Sequence, residues 1–214
     1  MSVRAVLFDL DGVLVRTDEF HYRAWKSVAD EEGLRFDRAI NERLRGVSRM
    51  DGLAAVLEAN AIEMGETERV ALAGRKNERY LTLLEGLGAS AVCNGVEALV
   101  SGLSAREVPM AVASSSRNAR VILERTGLAG AFACVVDGND IERSKPEPEV
   151  FLRAAAGLGA EPGACVVIED ARAGVEAALA AGMRVVGVGG VEVERAHLMV
   201  GSLLEVDVGM LVGV

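Results

Sequence analysis

The chain has 214 residues, half of them hydrophobic but only 4% aromatic, and a formal net charge of −9. That length accommodates one large domain or a domain with a smaller insertion, and the composition excludes an intrinsically disordered chain. The negative charge argues against nucleic acid or an anionic membrane surface as main partner, and no apolar run is long enough to cross a bilayer. A small phosphate ligand is still compatible, because a few local cations outweigh the global field at close range. Met1-Ser2-Val3-Arg4 runs into a short apolar segment with no small-residue cleavage site, which predicts no signal peptide. Cys93, Cys134 and Cys165, scattered and odd in number, read as reduced thiols, and a cytoplasmic protein fits this usage.

The first apolar run, 5–8, stops on Asp9-Leu10-Asp11-Gly12. Residues 17–87 then contain no strand-like run. Phe20, Ala24 and Val28 recur every fourth residue, Leu53, Val56 and Leu57 form a second stripe, and Val70, Ala73, Tyr80 and Leu84 a third. These predict an all-helical insertion joined by two linkers, near Val15-Arg16 and 86–91, that can open and close over a site. Further short Val-rich runs follow at 110–113, 134–136, 165–168 and 185–188, continuous rather than alternating, as strands buried on both faces of a parallel sheet read. Helical segments at 119–126, 148–156 and 173–181 separate them, with Gly127, Gly157 and Gly182 placed to end each helix in a left-handed conformation. The expectation is a doubly wound, mostly parallel α/β sheet built from 1–15 and 88–214, with a helical cap domain at 16–87. The tail from Gly189 carries no motif, and His197 is assigned to a surface helix.

Two carboxylates one residue apart at the end of a buried strand lose hydration and repel each other. A metal ion or a reacting electrophile is the usual compensation. Open parallel sheets bind ligands at the carboxyl ends of their strands, where three more polar clusters fall: Ser114-Ser115-Ser116, Lys145 before Pro146, and Glu169-Asp170. Together they have the parts of phosphoryl transfer: a carboxylate nucleophile, carboxylate oxygens for a hard divalent cation, a lysine, and a serine loop whose N–H groups cradle phosphate oxygens. Asp11 then serves as acid and base, which calls for a pKa raised toward neutrality.

Asp9-Leu10-Asp11-Gly12-Val13, Ser114, Lys145-Pro146 and Glu169-Asp170, in this order, resemble the four signature motifs of the haloacid dehalogenase superfamily, over nearly the whole chain. Within it, the helical insertion is similar to that of the β-phosphoglucomutase family, and the closer match is carried by 17–25, Gly46-Val47-Ser48-Arg49 and Arg75-Lys76-Asn77 in the insertion and by 113–118 in the core. The resemblance implies an aspartyl phosphate on Asp9, and Asp11 as general acid/base with its backbone carbonyl on the metal. It implies a Mg²⁺ site shared by Asp9, Asp11, Glu169 and Asp170, with Ser114 and Lys145 on the transferring phosphoryl group. Arg49 would grip the distal phosphate, supported by Ser116 and Asn118. His21 and Lys76 would link cap closure to Asp11, and Thr17 and the loop from Gly46 through Val47 and Ser48 to Met50 would line the sugar. Trp25 and Ser115, inside the matched stretches, join the substrate-binding set. The implied activity is Mg²⁺-dependent interconversion of β-glucose 1-phosphate and glucose 6-phosphate through glucose 1,6-bisphosphate. The alternative is a phosphatase releasing phosphate from small phosphorylated metabolites, with a non-catalytic phosphate sensor the remote third. The expected partner is a small phosphorylated sugar, and the expected state a monomer. Two positions depart from the family pattern: Arg16 where an acidic residue is common, and Asn94 where a proline closes the return linker.

Single motifs have blander readings. Asp9-Leu10-Asp11-Gly12 imitates a calcium loop but lacks its third oxygen ligand and follows a strand. Glu169-Asp170 alone reads as a helix N-terminal acidic pair, Ser114 to Ser116 as a cap, Arg49 and Lys76 as surface charge, and His21 as a core histidine beside Trp25. Their joint placement at strand ends and on one insertion favours the chemical reading.

Overall fold

The Val-rich runs all become strands; 5–8, 110–113 and 165–168 are buried throughout, whereas 134–136, at the sheet edge, is only partly buried. The computed structural model describes residues 3–212; Met1 and Ser2 of the leader reading, with Gly213 and Val214, lie outside the described residues. In chain order the elements are β1 (Ala5–Phe8), α1 (Asp18–Glu31), α2 (Arg38–Glu42), α3 (Arg49–Ala59), α4 (Glu66–Leu84) and α5 (Val96–Ser104). There follow β2 (Met110–Ala113), α6 (Ala119–Thr126), β3 (Cys134–Val136), α7 (Glu149–Gly157), β4 (Cys165–Glu169), α8 (Arg172–Ala180), β5 (Arg184–Val188), β6 (Leu198–Val200) and α9 (Val208–Val212). The six strands form one sheet in the order β3-β2-β1-β4-β5-β6, every neighbouring pair parallel.

Alternation along β1 divides the core. Val6 and Phe8 face one apolar layer with Leu99, Leu103, Ile122 and Leu123, whereas Ala5 and Leu7 face another with Phe151, Ala154, Val175 and Ala178. β1 lies mid-sheet between β2 and β4, at the point where the chain order reverses, so its carboxyl end opens into the crevice where such sheets bind ligands. The Asp9 N–H donates to the Ile168 carbonyl (3.0 Å), which carries the parallel ladder one residue beyond the strand.

The insertion is helical throughout and has its own core of Trp25, Val28, Leu53, Val56, Leu57 and Leu72. The roots of its first and last helices, through Ala24, Tyr80 and Leu84, belong instead to a sheet-side cluster. Its two linkers pair with each other. Val15 bridges Val92, the Arg16 N–H donates to the Ala91 carbonyl (2.8 Å), the Cys93 N–H to the Leu14 carbonyl (2.9 Å), and the Arg16 guanidinium to the Ser90 carbonyl. The departure at Arg16 therefore ties one linker to the other.

Several expectations need correction. Gly157 is the last residue of α7, and the left-handed residue after that helix is Gly159; Gly127 and Gly182 do take positive φ. Val70 is 56% exposed, and Leu72 takes the buried place on α4. His197 is not on a helix: its N–H donates to the Val185 carbonyl (3.0 Å) and its Nδ1 accepts from the Val185 N–H (3.2 Å), opening the edge strand β6 that the sequence reading missed. Among the described residues, no helix is long and apolar enough to cross a membrane.

Candidate active site

Two strand ends and one loop deliver a buried ionic cluster. Asp9 follows β1, Glu169 ends β4 with Asp170 after it, and Lys145 arrives on the connection between β3 and α7, through a cis bond to Pro146. The Lys145 Nζ donates to Asp9 Oδ1 (2.5 Å) and Glu169 Oε1 (2.9 Å) and lies over the Phe151 ring. Glu169 Oε2 accepts from the backbone N–H groups of Asp170 (2.6 Å) and Ala171 (2.9 Å). Burial opposes the Lys145 charge, but Asp9 and Glu169 outweigh it and raise its pKa. Burial, together with Glu169 and Asp11, pushes the Asp9 carboxyl well above the usual range despite Lys145. Burial, Glu169 and Asp9 do the same to Asp170. Two glycines make room. An ideal Cβ on Gly12 (φ +91°) would lie 1.9 Å from Asp170 Oδ2, and one on Gly174 would lie 1.5 Å from Glu169 Oε1.

One carboxylate oxygen each from Asp9, Glu169 and Asp170 lie within 4.8 Å of one another. All three groups are buried, the two raised carboxyls mark negative charge the protein does not fully offset, and the donors are hard oxygens; this set fits a divalent oxygen-seeking cation. The Asp11 side chain is outside that cluster. Its Oδ1 accepts from the Thr17 hydroxyl and lies 3.4 Å from His21 Nε2. His21 Nδ1 is 3.0 Å from Lys76 Nζ, and the His21 and Tyr80 rings are 4.2 Å apart. Lys76, only 3% exposed, lies over Tyr80 and faces Trp25. Burial and Arg49 lower the Lys76 pKa to about 7; burial and Lys76 also lower His21.

The direction at Asp11 reverses the expectation. Burial pushes it up, but His21, Thr17 and Lys76 together hold it below the usual carboxylate value. The charged neighbours that aim Asp11 are the ones that stabilise its anion.

A cavity of about 980 Å³ joins both groups of residues. Asp9, Asp11, His21, Trp25, Gly46, Val47, Ser48, Arg49, Lys76, Ser114, Ser115, Ser116, Asn118, Lys145 and Asp170 line it. Thr17 does not: it is fully buried behind Asp11, and its hydroxyl is spent on that carboxylate. Glu169 is likewise buried outside the wall. Ser114 Oγ accepts from the Ser116 N–H (3.0 Å) and Ser116 Oγ from the Asn118 N–H (3.2 Å), which shapes the turn entering α6. The Ser115 hydroxyl donates to the Gly46 carbonyl (2.9 Å), and Asn118 Nδ2 to Asn77 Oδ1 (2.9 Å), both crossing from core to insertion.

Two arginines were not singled out by sequence. Arg117 lines the cavity, and after burial its charge is what most lowers the Arg49 pKa. Among the described residues no carboxylate forms an ion pair with Arg49 or Arg117. Its signal was its place between Ser116 and Asn118. Arg45, just before Gly46, pairs with Asp170 and faces Asp18 and Glu42, bringing a cation of the insertion to the acidic cluster.

The chain matches a family model described as haloacid dehalogenase-like hydrolase over residues 3–182. It is 41% identical over 189 residues to a β-phosphoglucomutase of Bacillus subtilis (strain 168), covering 87% of this chain and 84% of that protein. It is 32% identical to a fructose-1-phosphate phosphatase of Escherichia coli (strain K12), covering 86% and 95% respectively. A crystal structure of β-phosphoglucomutase from Clostridium difficile superposes with a TM-score of 0.93 at 34% identity, covering 97% of this chain and 95% of that one. With its parallel sheet, strand-end carboxylates and helical insertion, the chain belongs to the haloacid dehalogenase-like hydrolase family, in its β-phosphoglucomutase-like branch.

Proposed function

We propose that the chain is a Mg²⁺-dependent phosphomutase that interconverts β-glucose 1-phosphate and glucose 6-phosphate through phosphorylated Asp9 and a glucose 1,6-bisphosphate intermediate. The observation that carries the reading is the pair of unpartnered guanidiniums, Arg49 and Arg117, on the wall of a cavity that also contains Asp9 and Lys145. One cavity then offers two anion sites, one reactive and one for holding, as a sugar bearing two phosphates requires. In this reading residues 16–87 act as a cap hinged on the paired linkers.

Asp9 attacks phosphorus through a carboxylate oxygen while Lys145 and the Ser114 turn hold the phosphoryl oxygens. Asp9, Asp170 and the Asp11 backbone carbonyl, with Glu169 behind them, would hold the Mg²⁺, which would supply charge neutralisation on the transferring group. Asp11 gives its proton to the departing sugar oxygen and takes one from the attacking hydroxyl in the reverse transfer. Its anion is favoured in the present arrangement, so its protonation has to accompany a change in the surroundings made by His21 and Lys76. Arg49, Arg117 and Asn118 retain the second phosphate. Excluding water lets the aspartyl phosphate survive until the sugar turns over.

The Escherichia coli relative favours a second reading, a sugar-phosphate phosphatase on the same machinery. Incubation with Mg²⁺, β-glucose 1-phosphate and a trace of glucose 1,6-bisphosphate separates the two. The mutase forms glucose 6-phosphate as the dominant product, and dominant free phosphate refutes it. The reaction uses soluble small molecules, consistent with a cytoplasmic monomer that engages neither membrane nor nucleic acid.

A further inference from the structure

The helix that presents Arg49 is capped from outside its own segment. Ser48 is the N-cap of α3: its Oγ accepts from the Asp51 N–H (3.2 Å) and its hydroxyl donates to Asp51 Oδ2 (2.5 Å). In the usual reciprocal cap, the acidic residue three positions on accepts the N–H of the N-cap residue. Here that N–H, from Ser48, donates instead to Ser144 Oγ (3.3 Å), and the Ser144 hydroxyl donates to the same Asp51 Oδ2 (2.6 Å). Ser144 lies 93 residues along the chain from Asp51, on the core side of the cavity, peptide-bonded to Lys145. Two hydrogen bonds therefore join the first turn of α3 to the loop that places Lys145 on Asp9.

We propose that Ser144 and Asp51 are positioning residues that couple the distal-phosphate loop of the cap to the Lys145 segment. This rests on the mutase reading above, in which Arg49 holds the second phosphate. A phosphate drawn onto Arg49 loads the N-terminal turn of α3. That turn holds Ser144 through the Ser48 N–H and the Asp51 carboxylate, and Ser144 fixes the backbone from which Lys145 reaches Asp9. The bridge favours transfer from substrates with a second anchored phosphate over small donors that never touch Arg49. The Ser115–Gly46 and Asn118–Asn77 hydrogen bonds are independent of it, so the cap keeps other contacts with the core when it is cut.

The test compares Ser144→Ala, Asp51→Ala, the double variant and Ser144→Thr in the full chain with Mg²⁺. For each, kcat and KM are measured for β-glucose 1-phosphate turnover and for acetyl phosphate hydrolysis. Each alanine variant is expected to lower the ratio of the two kcat/KM values about five- to tenfold, within the net worth of an ordinary intramolecular hydrogen bond. The double variant should lose no more than either single, because both cut one bridge. Ser144→Thr, which keeps the hydroxyl, should retain the ratio. Parallel losses in both reactions, or single effects that multiply in the double variant, overturn the proposal. Ser144→Ala keeps the Ser48–Asp51 cap within α3 and carries the test if Asp51→Ala does not fold. Failure of the mutase reading shows separately, as wild-type protein that makes phosphate and no glucose 6-phosphate. The same ratio is then read from phosphate released by the sugar phosphate.

Discussion

The strand ends of the core and the helices of the cap face one cavity with opposite electrostatics. On the core side Asp9, Glu169 and Asp170 are buried around a single lysine, and two of the three carboxyls are raised. On the cap side Arg49 and Lys76 bring cations, and the two groups meet at Asp11 and at the Arg45–Asp170 ion pair. The core groups hang from hydrogen-bonded strands that cannot shift without breaking the sheet. The cap groups hang from helices joined to the sheet by two paired linkers and a few polar bridges. Chemistry at phosphorus needs the first kind of support; a choice between sugar and water as acceptor can be made by the second.

Removing the proposed nucleophile should break this comparison on its core side. Asp9→Asn is expected to abolish phosphoenzyme and lower turnover by about 10⁴-fold or more, checked by labelling with a phosphoryl donor. Next in size, Lys145→Met leaves two buried carboxylates without their shared cation. In chelator, urea unfolding should show a loss of about 3–5 kcal/mol. On the cap side, Arg49→Ala should lower mutase kcat/KM by about 10²-fold, a larger loss than in acetyl phosphate hydrolysis, measured side by side. Equal losses would make Arg49 structural.

The smallest effect concerns Lys76. Its pKa is lowered from 10.5 to about 7 in the folded protein, so between these values the unfolded chain binds more protons and stability rises with pH. From pH 7 to 8, below the ordinary thiol value of 9.0 from which burial raises Cys93 and Cys165, this contributes roughly 1 kcal/mol of added stability. Lys76→Met should flatten that slope in urea midpoints measured across the same window.

The core side was the more legible in sequence. Its strands are continuous apolar runs, and a carboxylate or serine at the end of such a run has nowhere to be but the mouth of the sheet. The edge strand β6 escaped because Leu198-Met199-Val200 is short and leaves Met199 half exposed, so it lacks the buried-strand pattern. In the cap, helical stripes gave the helices but not which charges meet. Arg45 and Arg117 each adjoin a recognised motif, yet only the fold shows one on Asp170 and the other near Arg49. Thr17 was placed near the sugar, and its burial behind Asp11 follows from the turn between β1 and α1. The pKa direction at Asp11 was also out of reach, since it is set by His21 and Lys76, which are separated by 55 residues. The Ser48–Asp51 cap of α3 was not read from the sequence, and nothing local announced Ser144 as its third member.

The most direct measurement of the division between core and cap is the fate of the phosphoryl group on Asp9. Enzyme phosphorylated on Asp9 is mixed with β-glucose 1-phosphate, and transfer to sugar is counted against release to water, in wild type and in Arg49→Ala. The wild type should deliver most of the label to sugar, and the variant should shift it toward water while Asp9 still becomes phosphorylated. An unchanged partition in Arg49→Ala, or a wild type that delivers its label to water, would contradict the assignment of acceptor choice to the cap.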